Sequence, residues 1–265
     1  MSTSLPDRRT LRDACTTLAQ EAAREIMRIY AGDLGERMKA DHSPVTDADQ
    51  AAEVVIVAGL RQLTPGLTVV AEEEMAAGHV PTLDGRPFWL VDPLDGTKEF
   101  IKRNGEFTVN IALIEDGKPT LGIVLAPAQD NRLWRGDAHL GADKSDKGGA
   151  FTAITTRRAP AGGLVACASR SHAIYSDLDI WFRSNDLTVA ERIQAGSSLK
   201  FCLIAEGKAD IYPRFGPTNE WDTAAGQGVL EAAGGEVVTT DGRPLTYGKP
   251  RFSNPHFIAR TKDAR

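Results

Sequence analysis

The stretch Trp89-Leu90-Val91-Asp92-Pro93-Leu94-Asp95-Gly96-Thr97 gathers two carboxylates, a glycine and a hydroxyl into one short segment. The apolar run Phe88 to Val91 reads as a strand ending in Asp92, and Pro93 cannot donate to a ladder, so a turn is expected there. Gly96 allows the backbone to approach a ligand closely. A helix starting near Thr97 would aim its free amides and positive dipole end into the same turn. Two carboxylates, the Leu94 carbonyl and a helix N-terminus suit a hard cation held beside a phosphate, and Mg²⁺ takes such oxygen ligands while keeping some waters. The plain alternative is an acidic turn in which Asp95 caps the helix.

Further acids stand at comparable places. Glu72 heads the run Glu72-Glu73-Glu74, directly after the apolar segment Leu67 to Ala71, where open sheets present ligand-facing residues. Asp222 opens the helical pattern Trp221-Asp222-Thr223-Ala224-Ala225, whose small residues allow close packing. Taken singly, Asp222 is an ordinary first-turn acid and the glutamates are a solvated charge run. Gathered together they cost energy: two carboxylates ~5 Å apart at an effective dielectric near 20 repel by about 3 kcal/mol. Either these acids are dispersed or divalent cations sit among them.

The elements that must carry these residues are legible from periodicity. Leu11, Cys15, Leu18, Ala22, Ile26 and Ile29 predict a helix over residues 7–30. Thr46 with Asp49 three residues later is an acidic capping box that opens a second helix, stopped by Pro65-Gly66. Segments 107–114 and 120–126 flank Glu115-Asp116-Gly117-Lys118, a hairpin signal. Further strands are expected at Leu133-Trp134-Arg135 and Thr152 to Thr155. From about Arg157 to Gly163 the composition shifts, and strands (164–168, 187–190, 209–212, 236–239) then alternate with helices (173–184, 197–206, 221–233). The pattern is α+β followed by α/β, which places a boundary between residues 1–158 and 159–265.

Composition bounds the rest. The chain has 265 residues, 42% hydrophobic and 25% charged, which excludes disordered and fibrous classes. Its net charge of −5 offers no basic excess for nucleic acid, so any nucleotide partner is a small one in a pocket. No apolar run reaches the ~18 residues of a membrane span, and the polar N-terminus reads as no signal peptide. Cys15, Cys167 and Cys202 read as buried free thiols in a reducing compartment, and no spacing suggests zinc. The cytoplasm is the expected location; peripheral attachment at the inner membrane surface is left open, without an anchor in the sequence.

Asp92-Pro93-Leu94-Asp95-Gly96-Thr97, Trp221-Asp222-Thr223-Ala224-Ala225 and the later Ala233-Gly234-Gly235 resemble the two signatures of the inositol monophosphatase superfamily. Within it the chain is most similar to the bacterial 3′(2′),5′-bisphosphate nucleotidases of the CysQ type. That closer likeness rests on Lys98 to Thr108, Ser169-Arg170-Ser171-His172, Gly196 to Cys202 and Tyr212 to Thr218. The resemblance implies a layered α-β-α-β-α sandwich, antiparallel in its first half and mixed in its second. It implies an Mg²⁺-dependent, typically lithium-sensitive phosphatase using two or three ions, which converts 3′-phosphoadenosine 5′-phosphate to AMP and phosphate and so clears a by-product of sulfate activation.

Carried over position by position, the resemblance assigns metal ligation to Glu72, Asp92, the Leu94 carbonyl, Asp95 and Asp222, and water activation to Asp49 and Thr97. Glu72 is taken over Glu73 as the first acid after the strand. Gly96 and Thr97 would offer amides to the scissile phosphate, and His172, Ser197, Lys200 and Arg214 would surround the nucleotide, with Lys39 and Asp41 in a loop closing near the metals. A second phosphate calls for positive charge such as Lys200 and Arg214. The alternatives are a phosphatase acting on inositol phosphate or histidinol phosphate, and a catalytically dead metal-binding regulatory subunit. The oligomeric state is not legible.

Overall fold

The computed structural model describes residues 5–39, 43–169 and 175–264. Helix α1 (Arg8–Tyr30) buries Leu11, Cys15, Ala19, Ala22, Ile26 and Ile29 along one face, and Asp7 caps it by accepting the amides of Arg9 and Thr10. The two-residue strands β1 (Arg37–Met38) and β2 (Pro44–Val45) pair antiparallel ahead of α2 (Asp47–Leu63). The expected capping box is present at the start of α2: Thr46 caps Ala48, while Asp49 accepts the Thr46 amide at 2.7 Å.

A seven-stranded sheet follows. It comprises β3 (Thr68–Ala71), β4 (Phe88–Asp95), β5 (Thr108–Glu115), β6 (Lys118–Ala126), β7 (Arg132–Asp137), β8 (Gly141–Ser145) and β9 (Thr152–Ala153), in sequential spatial order. Only β3 and β4 pair in parallel; the rest form the expected antiparallel meander. Asp116 and Gly117 take the positive φ angles that the β5–β6 turn needs, 50° and 71°. The single-turn helices α3 (Glu72–Ala76) and α4 (Thr97–Ile101) follow β3 and β4.

One expectation needs correcting. The fourth strand does not end at Asp92: its ladder with β5 is regular to Asp92 opposite Asn110, skips Pro93 and Leu94, and resumes at Asp95 opposite Thr108. Pro93 has no N–H to give, so it sits in a bulge and the strand passes through it. The bulge re-aims both acids.

The second sheet has the order β11–β10–β12–β14–β13. It is built from β10 (Leu164–Ser169), β11 (Val189–Ala195), β12 (Ile211–Arg214), β13 (Glu236–Thr239) and β14 (Phe257–Arg260), with helices α5 (Tyr175–Ser184), α6 (Leu199–Ala205) and α7 (Trp221–Ala232) between them. β10 pairs in parallel with β11 and β12, whereas β14 runs antiparallel between β12 and β13. The strand expected at 187–190 lies further on, and α6 starts two residues late because Ser197 takes a left-handed φ of 54°.

The layers alternate, as expected from the resemblance. Trp89, Val91, Ile111 and Leu113 face α1 and α2, while Leu90, Ala112, Ile114 and Trp134 face α6 and α7 on the other side of the same sheet. Tyr212, Val237, Phe257 and Ala259 complete that central core from the second sheet. Leu164, Ala166, Ile211 and Ile258 face outward onto Leu178 and Phe182 of α5. Helix α7 lies directly on the larger sheet: a Cβ on Gly122 or Gly136 would overlap the backbone at Ala225 or at Gly228 and Val229. Small residues on both sides thus set the depth at which α7 holds Asp222. Cys15, Cys167 and Cys202 are buried free thiols. Among the described residues no helix is long and apolar enough to cross a membrane.

Candidate active site

Six element ends deliver side chains to one cleft of about 250 Å³. Glu72 comes from the β3–α3 junction, Asp92, Leu94 and Asp95 from the β4 bulge, and Thr97 from the first position of α4. Asp222 enters from the first turn of α7. Ser197 and Lys200 arrive from the start of α6, and Arg214 from the end of β12. Gly96 also lines the cleft, with a φ of 93° that only glycine adopts without strain. Asp49 stands behind Thr97 and accepts its hydroxyl proton at 3.0 Å. His172 and Asp41 lie outside the described residues.

The acids are close enough to perturb one another. Asp92 is buried; withdrawal from water and then the charges of Glu72, Asp95 and Asp222 push its carboxyl well above the usual range. Asp222 is pushed up in the same way, by loss of water and then by Asp95 and Glu72. Loss of water raises Glu72 as well, opposed by Lys39, and its carboxyl is near enough to Asp92 for a hydrogen bond. Burial lifts Asp95 against the pull of Lys200 and Ser197. Burial likewise raises Asp49, although the Thr46 and Thr97 hydroxyls and the Thr46 amide work against it.

Each carboxylate nevertheless turns to a donor on its own wall. Lys39 bridges Glu72 and Glu73 at 2.7 and 2.6 Å, Ser197 donates to Asp95 at 2.7 Å, and the Asn219 amide donates to Asp222 at 2.8 Å. The Leu94 amide donates to Asp92 at 3.1 Å. Among the described residues, therefore, no three Asp, Glu, His or Cys side chains form a ready-made cage around a single ion. The acids share a cleft, which is less than the closed cluster that the repulsion argument pictured. Their chemistry still fits a hard divalent cation. The carboxylates of Glu72, Asp92, Asp95 and Asp222 line it with the Leu94 carbonyl, no cysteine or histidine lines it among the described residues, and every one of these four acids is destabilised in its charged form by the others or by lost water.

The same cleft also has basic lining, Lys200 and Arg214. The Arg214 Nε is buried and has no hydrogen-bond partner among the described residues, while one Nη donates to the Pro217 carbonyl at 3.1 Å. Lys200 is buried and donates to the Ala195 and Ser197 carbonyls, which leaves one ammonium proton for a ligand. Burial first, and then Arg214, pull its pKa down to about 8 against the attraction of Asp95. Tyr212 lies between, with its ring 5.1 Å from the Lys200 ammonium.

Sequence reasoning overlooked the support beneath Asp95. Thr108, Asn110, Ser197 and Ser198 are joined by hydrogen bonds, Ser198 to Asn110 at 2.8 Å, and Ser197 reaches Asp95 from this network. The signal was present: Thr108 and Asn110 are inward-facing polar residues in the otherwise apolar run of β5. Glu73 as a second partner of Lys39, and Glu53 beneath the acidic triplet, were also missed.

Over residues 7–264 the chain matches the inositol monophosphatase family. It is 49% identical to the 3′(2′),5′-bisphosphate nucleotidase CysQ of Escherichia coli (strain K12), covering 92% of this chain and 97% of that one. Identity to the protein of the same name from Haemophilus influenzae is 31%, over 91% of this chain and 89% of that protein. Among solved structures, CysQ from Bacteroides thetaiotaomicron superposes with a TM-score of 0.81 at 37% identity, covering 97% of this chain and 98% of its own.

Proposed function

The chain belongs to the inositol monophosphatase family, and we propose that its cleft removes the 3′-phosphate of 3′-phosphoadenosine 5′-phosphate, giving AMP and phosphate. The observation that carries this reading is the two-signed cleft. Carboxylates of Glu72, Asp92, Asp95 and Asp222 line it together with the Arg214 Nε, unpartnered among the described residues, and the Lys200 ammonium. One phosphate would sit with cations against the acids, and a second phosphate has a guanidinium to meet it bidentately. A single-phosphate ester has less use for the basic lining, which argues against an inositol or histidinol phosphate as main substrate. The 49% identity to a bisphosphate nucleotidase supports the same choice.

Glu72, Asp92, the Leu94 carbonyl, Asp95 and Asp222 would hold Mg²⁺, two or three ions in all. Bound there, the metal supplies charge neutralisation and lowers the pKa of a water. The chain does the rest. Thr97 gives its hydroxyl proton to Asp49, so its lone pairs are free to accept a proton from an attacking water. The Gly96 and Thr97 amides meet the phosphate, and Arg214, Lys200, Ser197 and His172 hold the nucleotide. No covalent nucleophile is required. We read residues 1–158 as the half that carries the metals and 159–265 as the half that recognises the nucleotide, in a cytoplasmic enzyme that clears a by-product of sulfate activation.

The test supplies purified protein with Mg²⁺ and either 3′-phosphoadenosine 5′-phosphate or inositol 1-phosphate, with phosphate release as the readout. Release from the nucleotide is expected. Release from the inositol ester alone would overturn the nucleotide assignment, and release from neither would favour a regulatory subunit.

A further inference from the structure

Helix α2 carries two buried carboxylates one turn apart on the same face, Asp49 and Glu53. Asp49 orients Thr97, as described above. Glu53 reaches the other side of the acidic cleft: one carboxylate oxygen accepts the Glu73 amide at 2.7 Å and the other accepts the Glu74 amide at 2.8 Å. Those amides belong to the first turn of α3, whose preceding residue, Ala71, has no side chain able to cap it. A carboxylate from a different element therefore does the capping, and it grips the two peptide units that immediately follow Glu72.

This grip is costly to build. Glu53 is buried with no cation paired to it among the described residues, and the like charges of Glu73 and Glu74 act against its charged form. A neutral amide of the same size would have only one oxygen to offer two N–H groups. What the arrangement secures is geometric. With the Glu73 and Glu74 peptides clamped, the backbone at Glu72 cannot turn independently of α2. We propose that Glu53 is a positioning residue for Glu72, so that one rigid helix sets the placement of both Thr97, through Asp49, and Glu72, through Glu53. The inference rests on the reading of Glu72 as a Mg²⁺ ligand, and it adds a residue to that reading that contacts neither metal nor substrate.

The variants are Glu53→Gln, nearly isosteric but lacking one acceptor, and Glu53→Asp, which keeps the charge but is too short to hold both amides. Two readouts apply: the Mg²⁺ concentration that half-saturates phosphate release from 3′-phosphoadenosine 5′-phosphate, and the Mg²⁺-induced rise in Tm without substrate. Loss of such an outer contact typically weakens metal affinity by about 10- to 100-fold. For Glu53→Gln a rise of about tenfold in half-saturating Mg²⁺ is expected, with the Tm response displaced to higher Mg²⁺ to match and KM for the nucleotide at saturating Mg²⁺ unchanged. Glu53→Asp should move both readouts in the same direction. A purely structural role lowers Tm equally with and without Mg²⁺ and leaves the Mg²⁺ dependence where it was, and that outcome in both variants overturns the proposal. If the unmodified protein releases phosphate from neither ester, the substrate reading fails alone, because the Tm titration still reads the metal site.

Discussion

Asp137 and Asp210 are as thoroughly buried as Asp92, yet they live in a different electrostatic world. Asp137 meets Arg8 at 2.9 Å and accepts the His139 and Leu140 amides. Asp210 takes Arg157 with both oxygens at 2.8 Å and accepts the Val165 amide as well. Glu206 is similar: burial raises its carboxyl, but bonds from Lys144 and Lys208 outweigh that and hold it below the ordinary value. In the cleft, Asp92 has acids for neighbours. At separations near 5 Å each like-charged pair costs about 3 kcal/mol at an effective dielectric of 20. The frame acids are matched to cations and tie distant segments together; the cleft acids have donors such as Lys39 and Ser197 but crowd one another, and gain from a cation bound among them.

The same substitution should therefore act in opposite directions in the two regions. Asp92→Asn is expected to cut phosphate release by at least about a thousandfold, since charge stabilisation at the reacting centre is among the largest single terms. It should also raise the Tm of chelator-treated protein by relieving repulsion with Glu72, Asp95 and Asp222. Asp210→Asn should leave turnover intact and lower unfolding free energy by about 2 kcal/mol, because the Arg157 bonds are charge-assisted. Equal loss of Tm in both variants would break the contrast.

A smaller effect is expected in the basic lining. Arg214→Ala should raise KM for 3′-phosphoadenosine 5′-phosphate by about 10- to 100-fold, the loss of one or two bonds to a charged phosphate, and hardly change KM for a simple monoester. Parallel changes for both substrates would remove Arg214 from phosphate recognition.

Smallest is the pH dependence of stability without metal. Burial lifts the carboxyls of Glu53 and Glu73 from an ordinary 4.5 to about 7. Between those values the folded state binds more protons than the unfolded chain, so stability falls as pH rises from ~5 to ~7, by about 2 kcal/mol after screening. Glu206 acts with the opposite sign: its lowered carboxyl contributes stability that is lost as pH falls below the ordinary carboxylate range. Urea midpoints of chelator-treated protein across that range check the sign, and a midpoint that climbs from pH 5 to 7 would contradict it. Added Mg²⁺ should flatten the slope.

Local rules were enough for much of this. The Thr46–Asp49 capping box, the Asp116-Gly117 turn, the apolar face of α1 and the Asp92 to Thr97 segment were all legible, because each depends on residues a few positions apart. Position-by-position likeness to a family then named acids that do line one cleft. Even there a local rule misled: Pro93 signalled the end of a strand, but the ladder continues beyond a bulge because β5 is long enough to pair again at Thr108.

Residue type and short spacing by themselves determined most of the longer helices and strands, though not β8, β14 or the short α3, and also which strands run into acid and that those acids suit a hard cation. Only the folded arrangement decided that Lys39 bridges Glu72 and Glu73, that Glu53 on α2 clamps the turn after Glu72, and that the Arg214 Nε is left without a hydrogen-bond partner among the described residues. The physical reason is range. A cap or turn is settled by neighbours along the chain, whereas the partner of a buried charge is whichever group the packing of separate layers brings within 3 Å, and packing of apolar faces places those layers without reference to the charges they carry.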